Sequence, residues 1–245
     1  MKERTRIPWT RIGAESAAIV LSILLAFWID SSWERRLERE EAREVLSGLE
    51  VEFVALADNL DRTGRRYALW RDRLREVLET DPTNVSVAKM DTALIALIWP
   101  TTFDPGTRNR DALLESGRLE LLESRPLRNR LSSWGSVLDE TRDNEESMRT
   151  LAIQVTAPFL ASRGVETGRS LAYTGAGRDL TFPVEETAIA AERYRLLLID
   201  PEFRSLAQYR MGFANHSAQE FHRAADAARE VLVLTRRELG GTSTD

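Results

Sequence analysis

The most apolar stretch of the chain runs from Ser16 to Ile29. It holds no charge, and Ser22 is its one polar interior side chain. Its 14 residues fall short of the roughly 20 that cross a bilayer core as a helix, and the flanks close the gap. Trp9 and Trp33 bracket the run, about 36 Å apart at helical rise, and tryptophan favours the two membrane interfaces. Trp28 is a third such anchor. Arg11, Glu15 and Asp30 then lie near the headgroups, where a charge costs less than at mid-bilayer. A secretory signal peptide shares the basic start and a core of this length, but Asp30-Ser31-Ser32-Trp33 follows with no small-x-small cleavage site. A buried core helix is the other alternative, and it would be the one segment apolar on every face. The pattern predicts an uncleaved membrane helix over 12–33, after a basic tail over 1–11.

Ala14, Ala18, Ser22 and Ala26 recur every four residues within this span. Small side chains on one face let helices approach closely in lipid, where van der Waals packing replaces the missing hydrophobic drive. The common use of alanine in such proteomes is the plainer explanation of the same residues. As a packing face, they would meet other integral membrane proteins or copies of this chain. Glu15 follows Arg11 by four residues, a spacing at which the two can pair along a helix, so an ion or proton site is the less economical reading.

From residue 34 to 79 the apolar positions step by three, four or seven: Val45, Leu49, Phe53, Leu56, Leu60, Tyr67, Trp70, Leu74, Leu78. Mixed charges such as Arg35-Arg36-Leu37-Glu38-Arg39-Glu40-Glu41 separate them. This is the stripe of one long amphipathic helix with a solvated opposite face. Gly64 is a candidate bend, and Asp81-Pro82 ends the run. Residues 87–99 form a shorter, very apolar helix, read as buried core. Gly117 has the position of a left-handed helix stop. Ser124 caps a further helix with Pro126 in its first turn and the stripe Leu127, Leu131, Trp134, Leu138, Met148, Leu151, Val155, Phe159. Pro158 is expected to kink or end it.

Gly164, Gly168, Gly175 and Gly177 mark a loop or hairpin insertion over about 163–186. Helix returns at 190–198, and Asp200-Pro201 starts a last helix. That helix is predicted to reach Leu239 on a stripe of Phe203, Leu206, Tyr209, Phe213, Phe221, Ala225, Ala228, Leu232 and Thr235. Residues 240–245 form a flexible tail. The fold class expected is all-α: one N-terminal transmembrane helix continuing into an elongated antiparallel helical bundle over 34–239.

The block Arg11-Ile12-Gly13-Ala14-Glu15, with Ser22-Ile23-Leu24-Leu25-Ala26-Phe27-Trp28-Ile29-Asp30 and Trp33-Glu34-Arg35-Arg36, resembles the start of an uncharacterised bacterial family. That family is a domain of unknown function with one N-terminal membrane helix and a helical domain. Its span begins with a Gly-Glu pair, which Ala14 interrupts here, and Ser22 stands where the family often has glycine. A second similar block is Leu113-Leu114-Glu115-Ser116-Gly117-Arg118-Leu119-Glu120-Leu121-Leu122. The resemblance implies architecture and no activity.

Composition narrows the chemistry. The chain has 245 residues and no cysteine, which excludes disulfides, thiolate metal sites and cysteine nucleophiles. A net charge of -5 argues against nucleic acid as partner. Two of the 34 basic residues, Lys2 and Lys89, are lysine; the arginine bias reads as a GC-rich bacterial genome. His216 and Glu220, and His222 and Asp226, are each four apart. The histidines themselves point about 120° apart on a helix, so the pairs do not converge as metal ligands. No nucleophile stands at a readable spacing from a histidine base, and no cofactor motif is present; Gly175-Ala176-Gly177 reads as a turn.

The expectation is a non-catalytic accessory or scaffold subunit of the bacterial inner membrane. It would contact the lipid bilayer and partner membrane helices. The short basic tail favours an inside N-terminus and a periplasmic helical domain. The alternative is a membrane-anchored helical sensor that binds a small ligand or protein and signals through a partner.

Overall fold

The computed structural model describes residues 9–99, 103–165 and 188–241, with side chains from residue 20 in the first segment and from residue 189 in the last. Every described element is a helix. Helix α1, Trp9–Glu79, is continuous over 71 residues, about 106 Å at 1.5 Å per residue. No proline interrupts it, since Pro8 and Pro82 lie outside. Gly64 causes no break in it: the His222 ring packs over the glycine, 3.1 Å from where a Cβ would stand.

Helix α2, Val87–Ile98, is capped by Ser86 and buries Val87, Met90 and all six residues from Ala93 to Ile98, as its apolar sequence demands. Helix α3, Arg108–Glu115, ends in Gly117 at φ 69°, the left-handed stop that a side chain would strain. A 3-10 turn, Arg118–Leu121, leads to α4, Arg125–Leu151, whose cap is Ser124 accepting from the Leu127 N–H. Helix α5, Ala157–Ser162, follows through a π-helical turn, Ala152–Thr156. Of the kink or stop expected at Pro158, the stop is corrected here. The wider turn just before the proline takes up the lost N–H donor and the ring's crowding of the preceding turn, so helix continues to Ser162. Helix α6, Ala188–Ile199, and α7, Pro201–Gly241, complete the chain. Asp200 caps α7 by accepting from Glu202 N–H at 2.8 Å. α7 continues through Gly240 and Gly241, so the predicted stop at Leu239 falls two residues short. Of the predicted loop or hairpin over 163–186, residues 163–165 leave the end of α5 as a turn; the rest lies outside the described residues, as does the tail beyond Gly241.

Helix α7 lies antiparallel to α1: Arg236 pairs with Glu50 at 2.7 Å, and Arg204 donates to the Leu78 carbonyl at 3.2 Å. α4 is antiparallel to α7 in turn, with Arg130 on Glu230 at 2.6 Å and the Glu238 carboxylate capping the Glu123 and Ser124 N–H groups. α1 and α4 therefore run the same way, joined by a crossover that contains α2 and α3. The core lies between the three long helices. Phe53 meets Trp134 edge-on at 5.1 Å, Tyr67 stacks on Phe221 at 5.5 Å, and Phe103 meets Phe221 edge-on at 5.3 Å.

The inner stripe of α7 differs from the expected one. Phe203 and Phe221 are buried as expected, but Tyr209 is exposed, and Ala207, Arg210, Ala214, Ser217 and Ala218 are buried between them instead. Alanine and serine at these steps leave room for α1 to approach closely, and that close packing outweighs the larger apolar area of Tyr209. In the π-helical turn Val155 is likewise exposed, and on α4 the interior positions between Leu138 and Met148 are Thr141 and Glu145.

Candidate functional site

The first region of interest is the arm of α1 that precedes the bundle. Core burial begins at Ala42 and Leu46. From Val20 to Ile29 every described side chain is exposed, and so are Trp33 and Leu37. Trp28 and Trp33 are 64% and 63% exposed, values usual for charged surface residues and not for tryptophan in a water-soluble core. Among the sequence-predicted positions, Ser22, Ala26, Trp28, Asp30 and Trp33 all lie on this exposed arm. Trp9, Arg11, Ala14, Glu15 and Ala18 fall on the helical backbone of α1, and their side chains lie outside the described residues. Among the described residues no helix is long and apolar enough to cross a membrane.

Past Trp33 the arm becomes a charged stalk. Its arginines Arg35, Arg36, Arg39 and Arg43 are exposed. Arg35 donates from Nε to the Ser31 carbonyl at 2.9 Å and from Nη2 to Ser31 Oγ at 3.1 Å. Arg39 donates from Nε to the Arg35 carbonyl at 3.2 Å. Glu41, by contrast, is held by Arg118 of the 3-10 turn.

Two charged groups inside the bundle were not foreseen. Arg210 is 1% exposed. Its Nε and Nη2 donate to the Ala96 and Trp99 carbonyls, each at 3.0 Å, closing the C-terminal end of α2 where cations are favoured. Its guanidinium lies 5.5 Å from the Trp70 ring. Burial pulls its pKa down to about 10, against a smaller opposing effect of Tyr67. Glu145 on α4 is 9% exposed. Burial pushes its pKa up to about 7, although it accepts the Phe103 N–H and has Arg149 and Arg142 nearby. Glu145 Oε1, Arg210 Nη1 and Ser217 Oγ are buried without a hydrogen-bond partner among the described residues.

A readable signal for both residues exists in the sequence. Glu145 occupies the step missing between Leu138 and Met148 in the α4 stripe, and Arg210 lies one turn from Ala207 and Ala214 in α7.

Glu52 on α1 is a third buried charge, with a purpose within the fold. It accepts the Asn109 and Arg110 N–H groups at 2.6 and 3.1 Å and so caps α3 from outside. Burial raises its pKa against those bonds.

The histidines do not form a joint site. His216 Nε2 meets Glu220 at 2.9 Å, as its spacing suggests. His222 turns instead to Asp61 on α1, Nδ1 to Oδ1 at 3.3 Å, and Asp226 pairs with Arg229. Among the described residues no three ligand-type side chains gather around one point.

In comparisons with known proteins, the chain matches no protein family, no curated protein and no solved structure.

Proposed function

We propose that this chain is a non-catalytic, single-pass accessory or scaffold subunit of the bacterial inner membrane. Residues 12–33 anchor it, and the bundle over 34–239 is presented to partner proteins. The observation that carries this reading is the arm of α1. It exposes apolar side chains all round from Val20 to Ile29 and then passes without a break into the packed part of the same helix. A helix apolar on every face belongs in a protein core or in lipid, and among the described residues no core surrounds this one. The exposed Trp28 and Trp33 suit the headgroup level where the span would end. Ala14, Ala18, Ser22 and Ala26 supply the packing face toward other membrane helices or a second copy.

The test is extraction and sizing of the full chain. An anchored chain stays with the membrane through an alkaline wash and runs on native gels with stoichiometric companions, which mass spectrometry identifies. Ala18→Leu together with Ser22→Leu should dissolve that complex while leaving the bundle's melting temperature unchanged. Release by the alkaline wash would overturn the anchor, and an intact complex in the double variant would overturn the packing face.

A further inference from the structure

We infer that the arginine face of the α1 stalk binds the phosphate groups of anionic phospholipids in the leaflet from which the helix emerges. The inference rests on the membrane-anchor reading above and adds the lipid class to it.

Three observations carry it. The first is angular. At about 100° per residue, Arg35, Arg36, Arg39 and Arg43 fall within a sector of about 100°. Glu34, Glu38, Glu40, Glu41 and Glu44 occupy the remaining directions. The even mixture of signs in the sequence is therefore sorted into a cationic face and an anionic remainder once the segment is helical, as it is here.

The second is direction. Helical side chains lean toward the N-terminus of their helix, and here that is toward the span. The bonds of Arg35 to Ser31, and of Arg39 to the Arg35 carbonyl, hold these guanidiniums one turn nearer the span than their own Cα atoms. With Trp33 at the interface, the cations stand at headgroup depth.

The third is pairing. Among the described residues no carboxylate lies within ion-pair distance of Arg35, Arg36 or Arg39, whereas Glu41 on the acidic side is already engaged by Arg118. The three arginines nearest the span are left to an outside partner. A guanidinium can give two parallel hydrogen bonds to a phosphate, and a basic juxtamembrane segment gains about fivefold in affinity for an anionic surface per arginine.

The experiment uses the full chain in detergent micelles doped equally with phosphatidylglycerol and phosphatidylcholine, with native mass spectrometry reading the lipids retained. Phosphatidylglycerol should be retained in clear excess. Arg35→Gln, Arg36→Gln and Arg39→Gln combined should cut that preference by about tenfold or more. The same three positions changed to lysine should keep most of it. Arg62→Gln, Arg65→Gln and Arg66→Gln, which remove equal charge from exposed positions about 40 Å along the same helix, should leave it unchanged. Equal retention of both lipids by the unaltered chain, or equal loss in the distant variant, overturns the inference. So does inorganic phosphate alone stripping the retained lipid at millimolar concentration, since the face would then be a site for any free anion. A chain that survives the alkaline wash but shows no lipid preference refutes this inference and leaves the anchor standing. A chain released by that wash refutes the anchor first.

Discussion

The carboxylate of Glu145 accepts the backbone N–H of Phe103, which ties the middle of α4 to the segment that leaves α2. Phe103 in turn lies edge-on to Phe221 at 5.3 Å, so one bond links a buried acid to the aromatic centre of the bundle.

Because burial raises the Glu145 pKa from 4.5 to about 7, the folded state holds its proton more tightly than the unfolded state. The sign follows from linkage: its contribution is full below about pH 4.5 and is lost as pH rises through about 7. Glu145→Gln should remove that loss. Denaturant unfolding at pH 8 should find the variant more stable than the parent by roughly 1–3 kcal/mol, with the gap closing at pH 5. The charged groups near the site, Arg142 and Arg149 on α4, remain in both proteins, so the difference isolates Glu145. A gap that is the same at both pH values would contradict this account.

Arg210→Ala should cost about 3–5 kcal/mol in urea unfolding, since it opens a cavity and strips the Ala96 and Trp99 carbonyls of their donors. Arg210→Met should cost distinctly less, because it refills the volume and removes a buried cation that has no carboxylate partner among the described residues. If methionine were as damaging as alanine, the hydrogen bonds to α2 would outweigh packing at this position.

Gly64→Ala sets helix propensity against a contact. Alanine is favoured over glycine in a helix interior by about 1 kcal/mol, but its Cβ would come within 3.1 Å of the His222 ring. In a His222→Ala background the gain should appear in full. In the parent it should shrink by about 0.5 kcal/mol or more, a coupling that a double-mutant cycle reads directly. Strict additivity would mean that the ring swings aside freely.

Glu52→Ala should destabilise the chain by about 1–2 kcal/mol through loss of the cap on α3. Glu52→Gln, which keeps one accepting oxygen, should recover part of that. Amide hydrogen exchange should localise the effect to Asn109 and Arg110, and an exchange pattern unchanged there would show that α3 is capped by other means.

Much of this architecture was legible because it depends on local rules. Ser124 and Asp200 cap the helices they were expected to start, Gly117 takes the left-handed stop, and Leu49, Phe53, Leu56, Leu60 and Leu74 face the core of α1. What escaped depends on partners distant in sequence. The inner face of α7 was read from its large side chains, yet Tyr209 faces out because α1 approaches along the small residues Ala207, Ala214 and Ser217. His222 sits at pairing distance from Asp226 in sequence, but Asp61 of another helix claims it. Periodicity shows which residues share a face; it does not show which of two candidate faces the neighbouring helix selects. The buried charges escaped for a related reason: a gap in an apolar stripe is visible only when polar residues are allowed to fill it.

Helix α1 has one further consequence. It passes from the apolar arm to the bundle core with no hinge, and its stalk has neither glycine nor proline between Asp30 and Ala42. In an anchored chain the compass bearing of the bundle is therefore locked to that of the span. Whatever grips the Ala14–Ala26 face also decides which side of the bundle looks toward the gripping partner. One alanine inserted within residues 34–41 would swing the whole bundle by about 100° while lifting it by only about 1.5 Å. Four would nearly restore the original bearing, one turn higher. Bearing and height thus become two separately adjustable quantities, written into the length of one short piece of helix.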